Sequence, residues 1–127
     1  MTVTMTLVPG EYAVHRLSPS AAVPDGVWDS PFVSVSRSRD ELSIITSSGV
    51  TVDADSSVGP WLAYRVAGTI DFSVTGVMSS LTAPLAEGGL GILAVSTYDT
   101  DYVLVHADSG EAAEICWKQA GIEVDNG

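Results

Sequence analysis

Apolar and polar positions alternate most regularly in the second half of the chain. The stretch 61–67 has the alternation of a strand. After Ser73 the apolar residues recur at i, i+3, i+4, i+7 and i+11, a spacing that is typical of one face of an amphipathic helix. That face consists of Val74, Val77, Met78, Leu81 and Leu85. Pro84 predicts a kink or a shortened last turn, because proline removes a helical hydrogen bond.

The remainder of this half predicts a hairpin, a second helix and a last strand. The apolar runs 92–96 and 101–105 form the hairpin, residues 112–120 the helix, and residues 122–124 the strand. The order from residue 61 is strand, helix, strand, strand, helix, strand. Since each strand–helix–strand crossover is right-handed, this order predicts a four-stranded antiparallel sheet with two helices on one face. The predicted fold class is α+β, of the ferredoxin-like βαββαβ type.

The first half repeats this rhythm of strands with little helix. Strands are predicted at about residues 11–17, 32–36 and 41–46, with a short edge strand at 50–52. At most a helical turn fits near Val27 and Trp28. The small and polar segment 53–59, which precedes Pro60, is the expected boundary. We therefore predict two ferredoxin-like subdomains: residues 1–60, a degenerate copy, and residues 61–127.

Charge restricts the partners that the chain can have. Sixteen acidic residues against five basic ones give a net charge of −11. Phosphate backbones are bound by clustered lysine and arginine, so we expect neither nucleic acid nor an anionic membrane as a partner. No apolar run approaches the roughly 20 residues of a membrane helix. The N-terminus also lacks the basic and apolar regions of a signal peptide, so a cytoplasmic location is expected.

Residues that carry catalytic or metal chemistry are sparse. Cys116 is the one cysteine, so neither a disulfide framework nor a thiolate metal cluster is expected. Its position on the apolar stripe of the second helix indicates a small core residue. His15 and His106 lie far apart and have no second ligand at metal-binding spacing. We predict no enzymatic activity, no metal and no cofactor.

The tip of the predicted hairpin is unusually polar. Val95-Ser96-Thr97-Tyr98-Asp99-Thr100-Asp101-Tyr102 carries hydroxyls and carboxylates where a bare hairpin needs glycine or asparagine. These groups are able to receive an ammonium or a hydroxyl group. The tip is therefore the first candidate for a binding site.

Four stretches together resemble a known family. They are Glu41-Leu42-Ser43-Ile44, the strand at Trp61, Asp71-Phe72-Ser73-Val74-Thr75-Gly76 and Ser96-Thr97-Tyr98-Asp99-Thr100-Asp101-Tyr102. The chain resembles small bacterial proteins with two ACT-type domains, which are related to the ACT repeats of the eukaryotic CASTOR arginine sensors. ACT domains bind amino acids or similar small effectors and are not catalysts. Carried over by position, the resemblance implies a pocket formed by Gly68, Thr69, Ile70, Asp71 and Phe72 together with the hairpin tip, in particular Thr97 and Asp101.

Elementary chemistry supports such a pocket. The N-terminus of the first helix supplies unpaired N–H groups for the carboxylate of an amino acid, and Gly68 lets a ligand approach the backbone closely. Asp71, Asp99 or Asp101 are candidates to hold the ammonium, and Ser96 and Thr97 complete the set.

Structural explanations stand beside several of these candidates. Asp71 also fits a helix N-cap, Asp99 fits a turn residue, and Gly68 fits a turn glycine. Asp101 begins a strand, where an acidic residue has no structural advantage. It is therefore the preferred ligand residue.

Two functions follow from these patterns. The first is a regulatory module that binds a small-molecule effector, an amino acid of cationic or neutral side chain, and that forms a homodimer through exposed sheet edges. The alternative is a structural protein–protein interaction module, which keeps the fold, has no ligand and contacts an unidentified polypeptide.

Overall fold

The structure, a computed structural model, describes residues 3–68 and 75–126. The strands in chain order are β1 (Thr4–Leu7), β2 (Tyr12–Leu17), β3 (Ser34–Arg37), β4 (Leu42–Ser47), β5 (Ser56–Val66), β6 (Ile92–Ser96), β7 (Asp101–His106) and β8 (Glu123–Asp125). The α-helices are α1 (Val77–Glu87) and α2 (Gly110–Gln119), and short 3-10 helices span Asp25–Asp29 and Ala107–Ser109.

Contacts divide the chain into two compact units. The C-terminal unit comprises Met1–Val8 and Leu62–Gly127, and the N-terminal unit comprises Pro9–Trp61. This division differs from the predicted ranges 1–60 and 61–127 at the start of the chain. Strand β1 belongs with the C-terminal unit because it pairs with β5 on one side and with β8 on the other.

The C-terminal unit has a sheet of strand order β6-β7-β5-β1-β8 with α1 and α2 packed against it. The order is that of a ferredoxin-like unit into which β1 is inserted. Strand β1 runs antiparallel to β5 and parallel to β8, so the predicted four-stranded, fully antiparallel sheet is corrected to five strands with one parallel pair. The sequence prediction missed β1 because it is a strand through its pairing with β5 and β8, which are distant in the sequence.

The core of this unit lies between the sheet and the two helices. Leu81 and Leu85 of α1 and Trp117 of α2 are fully buried against Val103 and Val105 of β7. The indole Nε1 of Trp117 donates a hydrogen bond to the carbonyl oxygen of Leu81 at 2.8 Å, which joins the helices. The apolar stripe predicted for the first helix thus faces the sheet as expected.

Helix α1 begins at Val77, and the residue before it, Gly76, has a φ of 78°. The predicted N-cap candidate Asp71 and the predicted stripe residue Val74 lie outside the described residues. Pro84 lies in the last turn, and the helix ends three residues later at Glu87. The proline therefore shortens the helix rather than breaking it in the middle.

The N-terminal unit has the strand order β3-β4-β2-β5, which is again the ferredoxin order. A 3-10 helix at Asp25–Asp29 occupies the position of the first helix, and residues 48–55 between β4 and β5 contain none. Its core is formed by Leu17, Val27, Leu42 and Ile44. The N-terminal unit thus has a degenerate βαββαβ order, and the C-terminal unit has the complete one. Together they confirm the predicted α+β fold with two ferredoxin-like units.

Two local predictions for this unit are wrong. Residues 50–52 are not a strand; Val50 and Val52 instead pack against the core of the unit. Strand β5 begins at Ser56, so Gly59 and Pro60 lie inside a strand that was predicted to begin at residue 61, although the two units do meet next to them, between Trp61 and Leu62. Tyr12 pairs with Trp61 and Val14 with Val58, so β5 has one extra residue at Gly59 and Pro60, and such bulges are where strands tolerate proline.

Candidate functional site

Thr100 fixes the tip of the β6–β7 hairpin to the end of β5. Its hydroxyl Oγ1 donates a hydrogen bond to the carbonyl oxygen of Val66 at 3.0 Å, and the residue is 4% exposed. Val66 is the last residue of β5, and Gly68 follows two residues later. The bond therefore brings the hairpin tip and the segment that leaves β5 to the same end of the strands. We call this end of the C-terminal sheet the hairpin edge.

The tip is closed by its two threonines instead of by glycine. The backbone N–H of Thr97 donates to the carbonyl oxygen of Thr100 at 2.9 Å, and the Thr97 hydroxyl donates to the same oxygen at 3.1 Å. The N–H of Thr100 in turn donates to the Thr97 hydroxyl at 3.4 Å. The Thr97 hydroxyl thus keeps only one lone pair for any further partner.

The two carboxylates of the tip differ in environment. Asp99 is exposed at the turn, whereas Asp101 is half-buried as the first residue of β7 and pairs in register with Ser96. Because side chains alternate along a strand, Asp101 lies on the same face as Val103 and Val105, which pack under the helices. Asp101 is therefore at the rim of the helix-covered face, and Ser96 beside it is exposed.

Gly68 adopts a backbone conformation that favours glycine. Its φ is +81°, it is exposed, and a Cβ added to it would have nothing within 4 Å. Glycine is thus required by the turn and not by a close neighbour. This leaves open space at the backbone where the resemblance implies a ligand.

The structure brings together five of the nine predicted ligand residues at one edge of the C-terminal unit: Gly68, Ser96, Thr97, Asp99 and Asp101. The other four, Thr69, Ile70, Asp71 and Phe72, lie outside the described residues. The residue that holds the edge together, Thr100, was missed. Its only signal in the sequence is a threonine between two aspartates in a turn.

Burial changes the acid–base behaviour of two side chains away from this edge. Burial, and then the hydrogen bond and negative charge of Glu114, raise the pKa of Tyr64. Its phenol therefore stays protonated and donates to Glu114 Oε2 at 2.7 Å. In the N-terminal unit, burial lowers the pKa of His15, so that its imidazole is neutral at pH 7.

Metal and membrane features are not found in the part of the chain that the structure describes. Within residues 3–68 and 75–126, no three His, Cys, Asp or Glu side chains are arranged to hold a metal ion. Neither α-helix in those ranges is long and apolar enough to cross a membrane.

Two protein-family models match parts of this chain. The family model described as the ACT domain matches residues 56–116. A second model, for the N-terminal domain of another family, matches residues 10–50. No curated protein matches the chain.

Several solved structures share the fold. A crystal structure of an Agobacterium tumefaciens protein has a TM-score of 0.91 at 30% identity, covering 100% of this chain and 95% of that one. A Vibrio cholerae protein of unknown function, described as a possible transport protein, has a TM-score of 0.71 at 13% identity, over 94% and 91% of the two chains. The regulatory subunit of aspartate kinase from Thermus flavus has a TM-score of 0.58 at 14% identity, over 94% and 97%.

The strand orders of the two units define the ferredoxin-like fold class. The family match and the Agobacterium relative then settle the membership: the chain is a small ACT-domain protein. This confirms the family resemblance read from the hairpin tip and the neighbouring segments.

Proposed function

We propose that this protein is a regulatory module without catalytic activity, which binds a free amino acid at the hairpin edge of its C-terminal unit. The observation that carries the proposal is the hydrogen bond from Thr100 to Val66. It brings Asp101 and Ser96 to the edge where β5 ends and the Gly68 segment leaves. The ACT match over residues 56–116 supports the same region.

The chemistry of this edge suits an amino acid. Asp101, with Asp99 beside it, offers acceptors for the ammonium group through charge-assisted hydrogen bonds. Helix α1 follows the end of β5, and a right-handed crossover starts the helix at that same edge. Its first N–H groups, from Val77 onward, have no partner within the helix and attract a carboxylate. The predicted residues Thr69, Ile70, Asp71 and Phe72 would complete the pocket.

Charge suggests the class of side chain. The tip carries two carboxylates, and the whole chain has a net charge of −11. An aspartate or glutamate ligand would meet repulsion there. We propose a neutral or cationic amino acid as the effector.

The strand edges support self-association. Strand β6 pairs only with β7, and β3 pairs only with β4, among the described residues. Unpaired strand edges invite pairing with another chain. We propose a homodimer, and the mass measured by light scattering tests it: a value of one chain contradicts this part of the proposal.

One observation favours the alternative, a protein–protein interaction module without a ligand. The threonines of the tip satisfy each other and Val66, so their hydroxyls have a structural explanation. In addition, Tyr98 at the tip is 81% exposed, as expected for a residue that contacts a partner.

Nuclear magnetic resonance separates the two functions. Backbone amide signals are recorded with each of the twenty amino acids added in turn. The regulatory proposal expects one amino acid to shift the signals of Gly68 and residues 96–101, while signals of the N-terminal strands β3 and β4 stay in place. If no amino acid shifts the tip, the ligand-free interaction module is the better description.

A further inference from the structure

Helix α2 carries an isoleucine on the side that faces away from the core. Ala113 and Trp117 of this helix are fully buried, whereas Ile115 is 50% exposed. Successive residues of an α-helix are rotated by about 100°, so Ile115 points almost opposite to the midpoint between Ala113 and Trp117. The solvent side of α2 is therefore centred on a large apolar side chain.

Two oppositely charged residues lie beside Ile115. Glu111 lies one turn before it and Lys118, the only lysine of the chain, one turn after it. The rotation per residue places both charges on the same side of Ile115, and it places Ala112 and Gln119 on the other side. All five residues are exposed, and we call them the α2 outer face.

Glu111 and Lys118 do not pair with each other. They are seven residues apart, which is about 10 Å along the helix axis and too far for an ion pair. Glu114, one turn before Lys118, already accepts hydrogen bonds from Tyr64 and Asn126. The helix macrodipole favours an acid in the first turn and a base in the last turn, but it does not explain the isoleucine between them.

A second copy of the chain supplies the complement of this face. When two α2 helices pack antiparallel about a two-fold axis beside Ile115, residues at equal distances before and after Ile115 meet on the same side. Ile115 then contacts Ile115 of the second copy, and Glu111 contacts Lys118 of the second copy. The two-fold axis generates the ion pair twice. The α2 outer face is thus complementary to itself.

The α2 outer face also avoids the repulsion between acidic chains. It carries one acid and one base and is therefore neutral, in a chain whose net charge is −11. Two copies can approach each other there without bringing like charges together. Next to Gln119, a groove of about 460 Å³ separates α1 from α2, and its α1 wall includes the small residues Ser80 and Ala83. Helix α1 therefore leaves room for a second helix.

We propose that the α2 outer face is a contact between two copies of this chain, which pack their α2 helices antiparallel. One helix on one helix buries less than the about 1,200–2,000 Å² of a stable interface, so the association is weak and reversible. The contact uses no residue of the hairpin edge and no strand edge. Either this proposal or the proposed function can therefore fail without the other.

Sedimentation equilibrium of the full-length protein, from micromolar to millimolar concentration, tests the contact through the average mass. Ile115→Asp should lower the average mass at millimolar concentration, because it places two carboxylates at the centre of the contact. The control Thr51→Asp adds the same charge at an exposed residue of the N-terminal unit and should not lower it. Equal masses of the two variants overturn the proposal. Pairing through strand edges is read separately, from whether Ile115→Asp has the mass of one chain or of two.

Charge reversal tests the orientation of the helices. Glu111→Lys makes the chain less negative and Lys118→Glu makes it more negative, but each should weaken the association about tenfold, because like charges then meet at both contacts. The double variant should return to within about threefold of the unmodified protein. Glu11→Lys, at an exposed residue outside α2, is the matched control for net charge and should not weaken the association. If Glu111→Lys behaves as Glu11→Lys does, or if the double variant regains nothing, the antiparallel contact is overturned.

Discussion

Replacing Thr100 with valine tests the contact that organises the proposed site. Valine has nearly the shape of threonine but cannot donate to the carbonyl oxygen of Val66, to which the hydroxyl now donates at 3.0 Å. The residue is 4% exposed, so water cannot readily replace the lost donor. A typical hydrogen bond contributes about 1 kcal/mol net, and a buried group left without its partner costs about 1–3 kcal/mol. We expect Thr100→Val to lower the free energy of unfolding by about 1–2 kcal/mol.

The measurement is urea-induced unfolding, followed by the fluorescence of tryptophan. Trp117 is fully buried in the C-terminal unit and reports its unfolding. The matched control is Thr51→Val, at an exposed threonine, which should change the free energy by less than about 0.5 kcal/mol. If Thr100→Val is no more destabilising than Thr51→Val, the hydrogen bond does not hold the tip and the reasoning about the site is refuted.

Three further predictions concern the buried Trp117, the contact between Gly88 and Cys116, and the buried His15. Trp117→Phe removes the hydrogen bond to Leu81 and leaves a cavity, and it should cost about 2–4 kcal/mol in urea unfolding followed by circular dichroism, since the variant lacks the fluorescent reporter; a loss below about 1 kcal/mol would contradict this. A Cβ at Gly88 would lie 2.7 Å from Sγ of Cys116, so Gly88→Ala should destabilise the protein, and adding Cys116→Ala should restore part of the loss; a double-mutant cycle with no coupling would refute the contact. Because burial lowers the pKa of His15 below 6.5, its contribution to stability is complete above pH 6.5 and is lost as the pH falls through the folded-state pKa. The ring signals of His15 should titrate below pH 6.5, and in His15→Gln the acid-dependent loss of stability should be smaller than in the unmodified protein.

Local patterns predicted the elements whose partners are near in the sequence. The stripe of Leu81 and Leu85 faces the core because helical spacing alone determines which residues share a face. The register of the hairpin, with Ser96 opposite Asp101, likewise follows from two adjacent apolar runs. Both features depend on contacts within about ten residues, which is the range that periodicity describes.

The features that sequence patterns missed depend on distant partners. Strand β1 is a strand because it pairs with β5 and β8, which are about sixty and about one hundred and twenty residues away. Pro60 was predicted to precede a strand, but a bulge with one extra residue in β5 admits it to the strand that pairs with β2. Thr100 is buried because its acceptor, Val66, lies 34 positions earlier in the chain. A local pattern of apolar and polar residues does not predict pairings between residues so far apart in the sequence.

Binding of free amino acids to the unmodified protein and to Asp101→Asn tests the central claim most directly. The thermal unfolding temperature is measured with each of the twenty amino acids. We predict that at least one neutral or cationic amino acid raises it, because a ligand at about one hundred times its dissociation constant stabilises a protein by about 2.7 kcal/mol. The same amino acid should have little effect on Asp101→Asn. If no amino acid raises the unfolding temperature, or if Asp101→Asn responds as the unmodified protein does, amino-acid binding at the hairpin edge is contradicted.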